Sequence, residues 1–151
     1  MPKVVIDTGV IVEFIDRKSE FQEQASAIFS AILSGKLEAL ITHPTLSETY
    51  YVSAKIYEKL KIANPQKLAA ELIDWLVKVP SVTIVAGSKD LAIEAGDAKQ
   101  RHCLALTDCY VLAASHIYEC KALFRKPEEE MRGKMRTLKE KYQLVFLTDY
   151  K

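Results

Sequence analysis

The sequence predicts an α/β fold: a three-layer α/β/α sandwich around a central, mostly parallel sheet of about five strands. Three observations carry this. Short β-branched or aliphatic runs alternate with longer stretches of helical periodicity, which is the signature of βα units. The order of these units is that of a parallel sheet covered by helices on both faces. No repeat, low-complexity tract or linker interrupts the pattern, so residues 1–151 read as one domain, a length that buries roughly 70% of the unfolded surface.

"KVVI" at 3–6 is the first strand. Val10, Ile11, Phe14 and Ile15 follow at helical spacing, and Phe21, Ala25, Ile28, Phe29 and Ile32 continue that helix until Ser34, Gly35 and Lys36 end it, with Gly35 at the cap. "EALIT" at 38–42 is the second strand, and Pro44 opens the next helix, with Leu46, Tyr50, Ala54 and Tyr57 on one face. A further helix has Asn64 as N-cap, Pro65 at its first position and a core stripe of Leu68, Leu72, Trp75, Leu76 and Val79, ending at Pro80. "VTIV" at 82–85 is the third strand, leading to a helix from Ser88 with Leu91, Ala92 and Ala95 inward. Thr107 caps the next helix, with Asp108 in its first turn, before the strand "KALF" at 121–124. Beyond Pro127, "EEEMRGKMRTLKEKY" has acids first and bases last, as the helix dipole favours, with Met131, Met135 and Leu138 on one face. "LVFL" at 144–147 is the last strand.

A composition of 49% hydrophobic and 27% charged residues is ordinary for a soluble globular protein, and a net charge of +1 exerts no global pull on polyanions. Cys103, Cys109 and Cys120 form no C-x-x-C, so neither a disulfide framework nor a zinc site is expected, and a reducing cytoplasm is the expected home. The chain starts without a basic leader and has no apolar segment long enough to span a bilayer.

The chemistry turns on Asp7, in "VVIDTG". An aspartic protease uses Asp-Thr-Gly but needs two such loops in a β-rich architecture. Phosphotransferases of the haloacid-dehalogenase type need a second acid two residues on, where Gly9 stands. Nucleotide binding through a glycine-rich turn has no matching motif. Metal binding fits better, because open parallel sheets bind ligands at the carboxyl ends of strands. Asp7 ends the first strand, Glu48 lies early in the helix after the second, and Asp108 opens the helix before "KALF". Carboxylates gathered there repel unless a cation sits among them, and Mg²⁺ or Mn²⁺ prefers such hard oxygens.

"VVIDTGVIVEFI", "THPTLSETYYV" and "AGDAKQRHCLALTDCYVLAAS" together resemble the three signature blocks of PIN-domain ribonucleases, in particular the VapC-like toxins. The resemblance covers nearly the whole chain and implies a PIN-like fold with Asp7, Glu48 and Asp108 as metal-binding and catalytic acids, supported by the hydroxyls of Thr8 and Thr107. It further implies hydrolysis of RNA with Mg²⁺ or Mn²⁺, an antitoxin protein as partner, and a homodimer. The chain departs from the family where a fourth acid follows the fourth strand: Phe124 and Lys126 occupy the usual threonine and acid positions, leaving Glu128 or Glu129 as candidates and Asp149 as a poorer one.

Other readings stand beside these. Taken singly, Asp7 is a turn or cap residue, Glu48 a solvated helix residue and Asp108 a favourable first-turn acid. His43, His102 and His116 share no ligand spacing. The basic excess from Lys121 to Lys141 includes Arg125, Lys126 and Arg132, which are candidates for RNA phosphates or for a solvated helix face. Two rival functions remain: a catalytically weak or inactive PIN domain that binds RNA or protein, favoured by Lys126, and a metal-dependent phosphatase of small substrates.

Overall fold

The computed structural model describes residues 1–150. Strands β1 (Lys3–Ile6), β2 (Glu38–Ile41), β3 (Val82–Ile84), β4 (Lys121–Phe124) and β5 (Leu144–Phe146) form one sheet in the order β3-β2-β1-β4-β5. All neighbouring pairs are parallel, so every connection is a crossover. The chain lays β2 and β3 to one side of β1 and then β4 and β5 to the other. β1 is therefore the switch point, and a crevice opens beyond the carboxyl ends of β1 and β4.

The crossovers are α1 (Thr8–Ile15), α2 (Gln22–Leu33), α3 (His43–Lys59), α4 (Pro65–Lys78), α5 (Lys89–His102), α6 (Leu106–Ile117) and α7 (Met135–Lys141). Successive strand residues face opposite layers. Val4 and Ile6 pack with Val10, Ile11, Phe29, Ile32 and Leu76 on one face. Val5, Leu40 and Ala122 pack with Leu91, Leu104, Leu112 and Leu138 on the other. The five-stranded, three-layer α/β/α architecture is the expected one. Phe29 is fully buried and stacks on Phe14 at 4.2 Å between ring centroids. Phe29→Ala should cost about 3–5 kcal/mol, read as a lower denaturant midpoint at unchanged m-value.

Local differences from the sequence expectation have physical causes. The helix expected from Val10 to Ser34 is two helices, because residues 16–21 offer the backbone better partners. The Asp16 carboxylate accepts the Lys18 N–H at 3.0 Å, the Ser19 hydroxyl donates to the carbonyls of Glu13 and Asp16, and the Glu13 carboxylate accepts the Phe21 N–H at 2.8 Å. Thr42 leaves the second strand to cap α3, its hydroxyl accepting the Thr45 N–H at 3.4 Å. Asn64 precedes α4 in the left-handed conformation and makes no capping bond. α6 begins one residue before Thr107, with Ala105 at the N-cap, so Thr107 does not cap it. Trp75 is 37% exposed, covering Phe14 and Phe29 from outside rather than lying in the core. The helix expected after Pro127 breaks at Gly133, whose φ of +83° separates a 3₁₀ turn at Glu129–Met131 from α7.

Candidate metal centre

Asp7 stands over the carboxyl end of β1. Its N–H makes a last ladder bond to the Leu123 carbonyl at 3.0 Å, and its side chain caps α1, Oδ2 accepting the Gly9 N–H at a long 3.4 Å. The other carboxylate oxygen, Oδ1, is buried with no protein partner, and so is the Thr8 hydroxyl. Orphaned buried oxygens each cost about 1–3 kcal/mol, so two of them side by side mark a place that some further group completes.

Two helix starts bring the other acids. α3, opened by Thr42 and Pro44, carries half-buried Glu48, whose Oε2 accepts the Tyr51 hydroxyl at 3.4 Å. α6 is buried along nearly its whole length against the sheet and presents Asp108, 7% exposed, in its first turn. The segment after β4 supplies Arg125, Glu128 and Glu130. Together with Asp7, Thr8, Gly9 and Glu13, these residues line a cleft of about 330 Å³.

The electrostatics follow from the burial. Desolvation pushes the Asp7 carboxyl up to about 7, and the charges of Glu48 and Glu128 add to it against the weaker pull of the Thr8 and Gly9 amides. Desolvation likewise raises Asp108 to about 8, followed by the charges of Asp7, Glu128, Glu48 and Glu130. Acids drawn from four separate segments thus feel one another in one hollow. Near neutral pH Asp108 is mostly protonated and Asp7 about half so, and a cation would displace those protons.

Of the residues singled out in the sequence, the cleft brings together Asp7, Thr8, Glu48, Asp108, Arg125 and Glu128. Thr107, Lys126, Glu129 and Arg132 are not among its lining residues, although Lys126 and Thr107 are half-buried. Two lining acids were not singled out. Glu130 lies two residues beyond Glu128 in "PEEE", and Glu13 is 3% exposed, bonded through Oε1 to Arg125 Nη1 at 3.0 Å. The signal for Glu13 was its helical spacing, since it shares a buried face with Val10. A larger hollow, of about 610 Å³, lies at the opposite, amino-terminal edge of the sheet around Met1, Val4, Ile28, Tyr118 and Val145, away from these acids.

Among the described residues, no three His, Cys, Asp or Glu side chains are already drawn close enough to enclose an ion. The donor set still fits one kind of guest. Its acids offer only oxygen, with a buried, unpaired Asp7 oxygen and further carboxylates lining the same cleft, which suits a hard divalent cation that keeps several waters and takes one or two carboxylates. Soft metals would want the thiols or imidazoles that the cleft lacks.

Comparison with known proteins gives a consistent frame. Residues 4–126 match the family profile described as PIN domain. No curated protein sequence matches the chain. Among solved structures, VapBC2 from Rickettsia felis, bound to a DNA fragment from its promoter, superposes with a TM-score of 0.66 at 10% identity, covering 95% of this chain and 98% of that one. A toxin–antitoxin complex from Klebsiella pneumoniae gives 0.60 at 15% identity, covering 95% and 97%. VapC20 of Mycobacterium tuberculosis, a toxin that cleaves the sarcin–ricin loop, gives 0.60 at 14% identity, covering 79% and 86%. At such identities the likeness is one of fold.

Proposed function

The chain belongs to the PIN-domain family, and from that membership and its acid cleft we propose a divalent-metal-dependent endoribonuclease, the toxin of a VapBC-type toxin–antitoxin pair. The observation that carries the reading is the pairing of buried Asp7 and Asp108, both raised to near neutrality, at the switch point of a parallel sheet.

Asp7 and Asp108 would hold Mg²⁺ or Mn²⁺, with Glu48 and Glu128 at the rim. Such an ion, when bound, polarises a phosphate oxygen and lowers the pKa of a coordinated water. Glu48, half-buried in the first turns of α3, would orient the attacking water and accept its proton. The Thr8 hydroxyl, buried and unpaired beside Asp7, would be available to position a ligand of the ion. Arg125 meets the phosphodiester from the cleft wall. Lys126 and Arg132, outside the lining, track the RNA backbone beyond it. The family position filled by Lys126 is taken over by Glu128, which already acts electrostatically on both aspartates.

The antitoxin is proposed because the structural neighbours include toxin–antitoxin complexes; co-expression with the protein from an adjacent reading frame and co-purification tests it. The catalytic reading is tested by incubating the protein with structured RNA and, separately, with small phosphomonoesters, in Mg²⁺, Mn²⁺ or chelator. Cleavage of RNA alone, lost with chelator, is expected; phosphomonoester turnover alone would move the assignment to a phosphatase. In the same assay Glu128→Gln should lower kcat/KM by about 10–100-fold, and Lys126→Ala should change it less than about threefold at low salt. The reverse ranking would restore Lys126 to the site and favour a feebly catalytic binding module.

A further inference from the structure

Among the described residues, Arg125 is the sole basic one lining the acid cleft, which it shares with Asp7, Glu48, Asp108, Glu128 and Glu130. With so many carboxylates near, it would be expected to pair with one of the aspartates. It pairs instead with Glu13, through Nη1 and Oε1 at 3.0 Å, and Asp7 Oδ1 is left free. Glu13 is itself rigid: it is 3% exposed, it lies in α1, and its second oxygen accepts the Phe21 N–H at 2.8 Å. The arginine is fixed at its other end too. Its carbonyl accepts the Thr148 N–H, and its Cβ packs against Gly9, where an added Cβ would lie only 3.0 Å away.

We propose that Glu13 is a positioning residue, which holds the Arg125 guanidinium to the cleft wall as the contact for a phosphate of bound RNA. The proposal rests on the cleft being a ribonuclease site. A guanidinium has five donors in a planar fork, and Glu13 takes one, so the rest remain for phosphate oxygens. A cleft of carboxylates repels a polyanion, and one immobilised cation offsets that repulsion where the scissile group must sit. Holding the side chain in advance reduces the ordering cost on binding. The same pairing keeps the arginine off Asp7 and Asp108, so their oxygens stay available. A purely structural role explains the pair less well, since buried ion pairs contribute little net stability compared with apolar residues of the same volume.

The test is a double-mutant cycle with Glu13→Gln, Arg125→Ala and the double variant. Binding of a short fluorescein-labelled single-stranded RNA is read in Ca²⁺ by anisotropy, cleavage in Mn²⁺ as KM and kcat, and Mn²⁺ affinity by calorimetry. Each single variant should weaken RNA binding and raise KM by about 10-fold or more, with a smaller change in kcat and unchanged Mn²⁺ affinity. The double variant should be no worse than Arg125→Ala, because Glu13 acts only through the arginine. Multiplying losses, unchanged RNA binding in Glu13→Gln, or a wild type that binds no RNA would overturn the proposal. A wild type that binds RNA with the cycle non-additive yet cleaves nothing would overturn the hydrolytic reading and leave this one standing. Should Glu13→Gln fail to fold, the guanidinium ¹⁵N resonances of Arg125 in the wild type decide. Slow exchange before RNA and a shift on its addition support the proposal, and averaged, unmoved resonances sink it.

Discussion

Asp7→Asn is expected to lower kcat/KM for RNA by more than about 100-fold, beyond what losing a mere supporting partner of a metal ligand costs, while the protein stays folded. Asparagine discriminates sharply here. As a helix N-cap it is as good as aspartate, and the Gly9 N–H that Asp7 accepts can be accepted by an amide oxygen equally well. An Asp7 that served only as a cap would tolerate the change in every assay. What asparagine cannot supply is the negative charge on a buried oxygen that now lacks a protein partner. The variant should also remove the burden of a desolvated carboxylate. Without metal, at pH 8, it should be more stable than the wild type by about 2–4 kcal/mol, the magnitude that a rise from 3.8 to about 7 implies for one member of a coupled pair. Asp108→Asn should behave likewise in both respects. Full activity in Asp7→Asn would remove the metal centre from this cleft, and lower stability in chelator would show that the charge is not a burden.

The parts of this arrangement visible in the sequence are those that depend on local pattern. Strands β1, β2 and β4 stand out because parallel strands covered on both faces must be continuously apolar, and "VVI", "ALI" and "ALF" are. Asp7 stands out because it follows such a run just where a strand gives way to a helix, and Glu48 and Asp108 because each lies early in a helix. What local pattern hides is the chain's response to long-range partners. Helical periodicity runs through residues 16–21, yet the Glu13 carboxylate accepts the Phe21 N–H, the Asp16 carboxylate accepts the Lys18 N–H and the Ser19 hydroxyl donates to the Asp16 carbonyl, so the helix breaks without proline or glycine. Helical spacing places Glu13 on the buried face of α1, but its role is hidden, since its partner Arg125 lies 112 residues away. The position of the acids after β4 is hidden for a related reason. A 3₁₀ turn with three residues per turn replaces the expected helix after Glu128, and Glu128 and Glu130 line the cleft while Glu129 does not.

The paired aspartates also dictate how stability varies with pH, and in an unusual direction. A carboxyl whose native pKa is raised binds more protons folded than unfolded between its two values. Its stabilising contribution is therefore fully present below the ordinary value of 3.8 and is lost as pH rises through the native value. With Asp7 at about 7 and Asp108 at about 8, the metal-free protein should lose about 2–4 kcal/mol between pH 5 and 8, or roughly 5–15 °C in melting temperature at this chain length. Most proteins with salt-bridged carboxylates gain stability over the lower part of that range. Divalent metal should offset the trend, because ligating carboxylates must shed their protons and binding therefore tightens toward pH 8. At a Mg²⁺ or Mn²⁺ concentration of one hundred times Kd, the ion adds about 3 kcal/mol. Thermal melts in chelator and in Mn²⁺ across this pH range should thus be close at pH 5 and diverge toward pH 8. In Asp7→Asn the separation should shrink, because one of the two proton-binding ligands is gone. A metal-free melting temperature that rises steadily from pH 5 to 8 would mean that the two carboxyls are ionised throughout, and the case for a cation to neutralise them would fall with it.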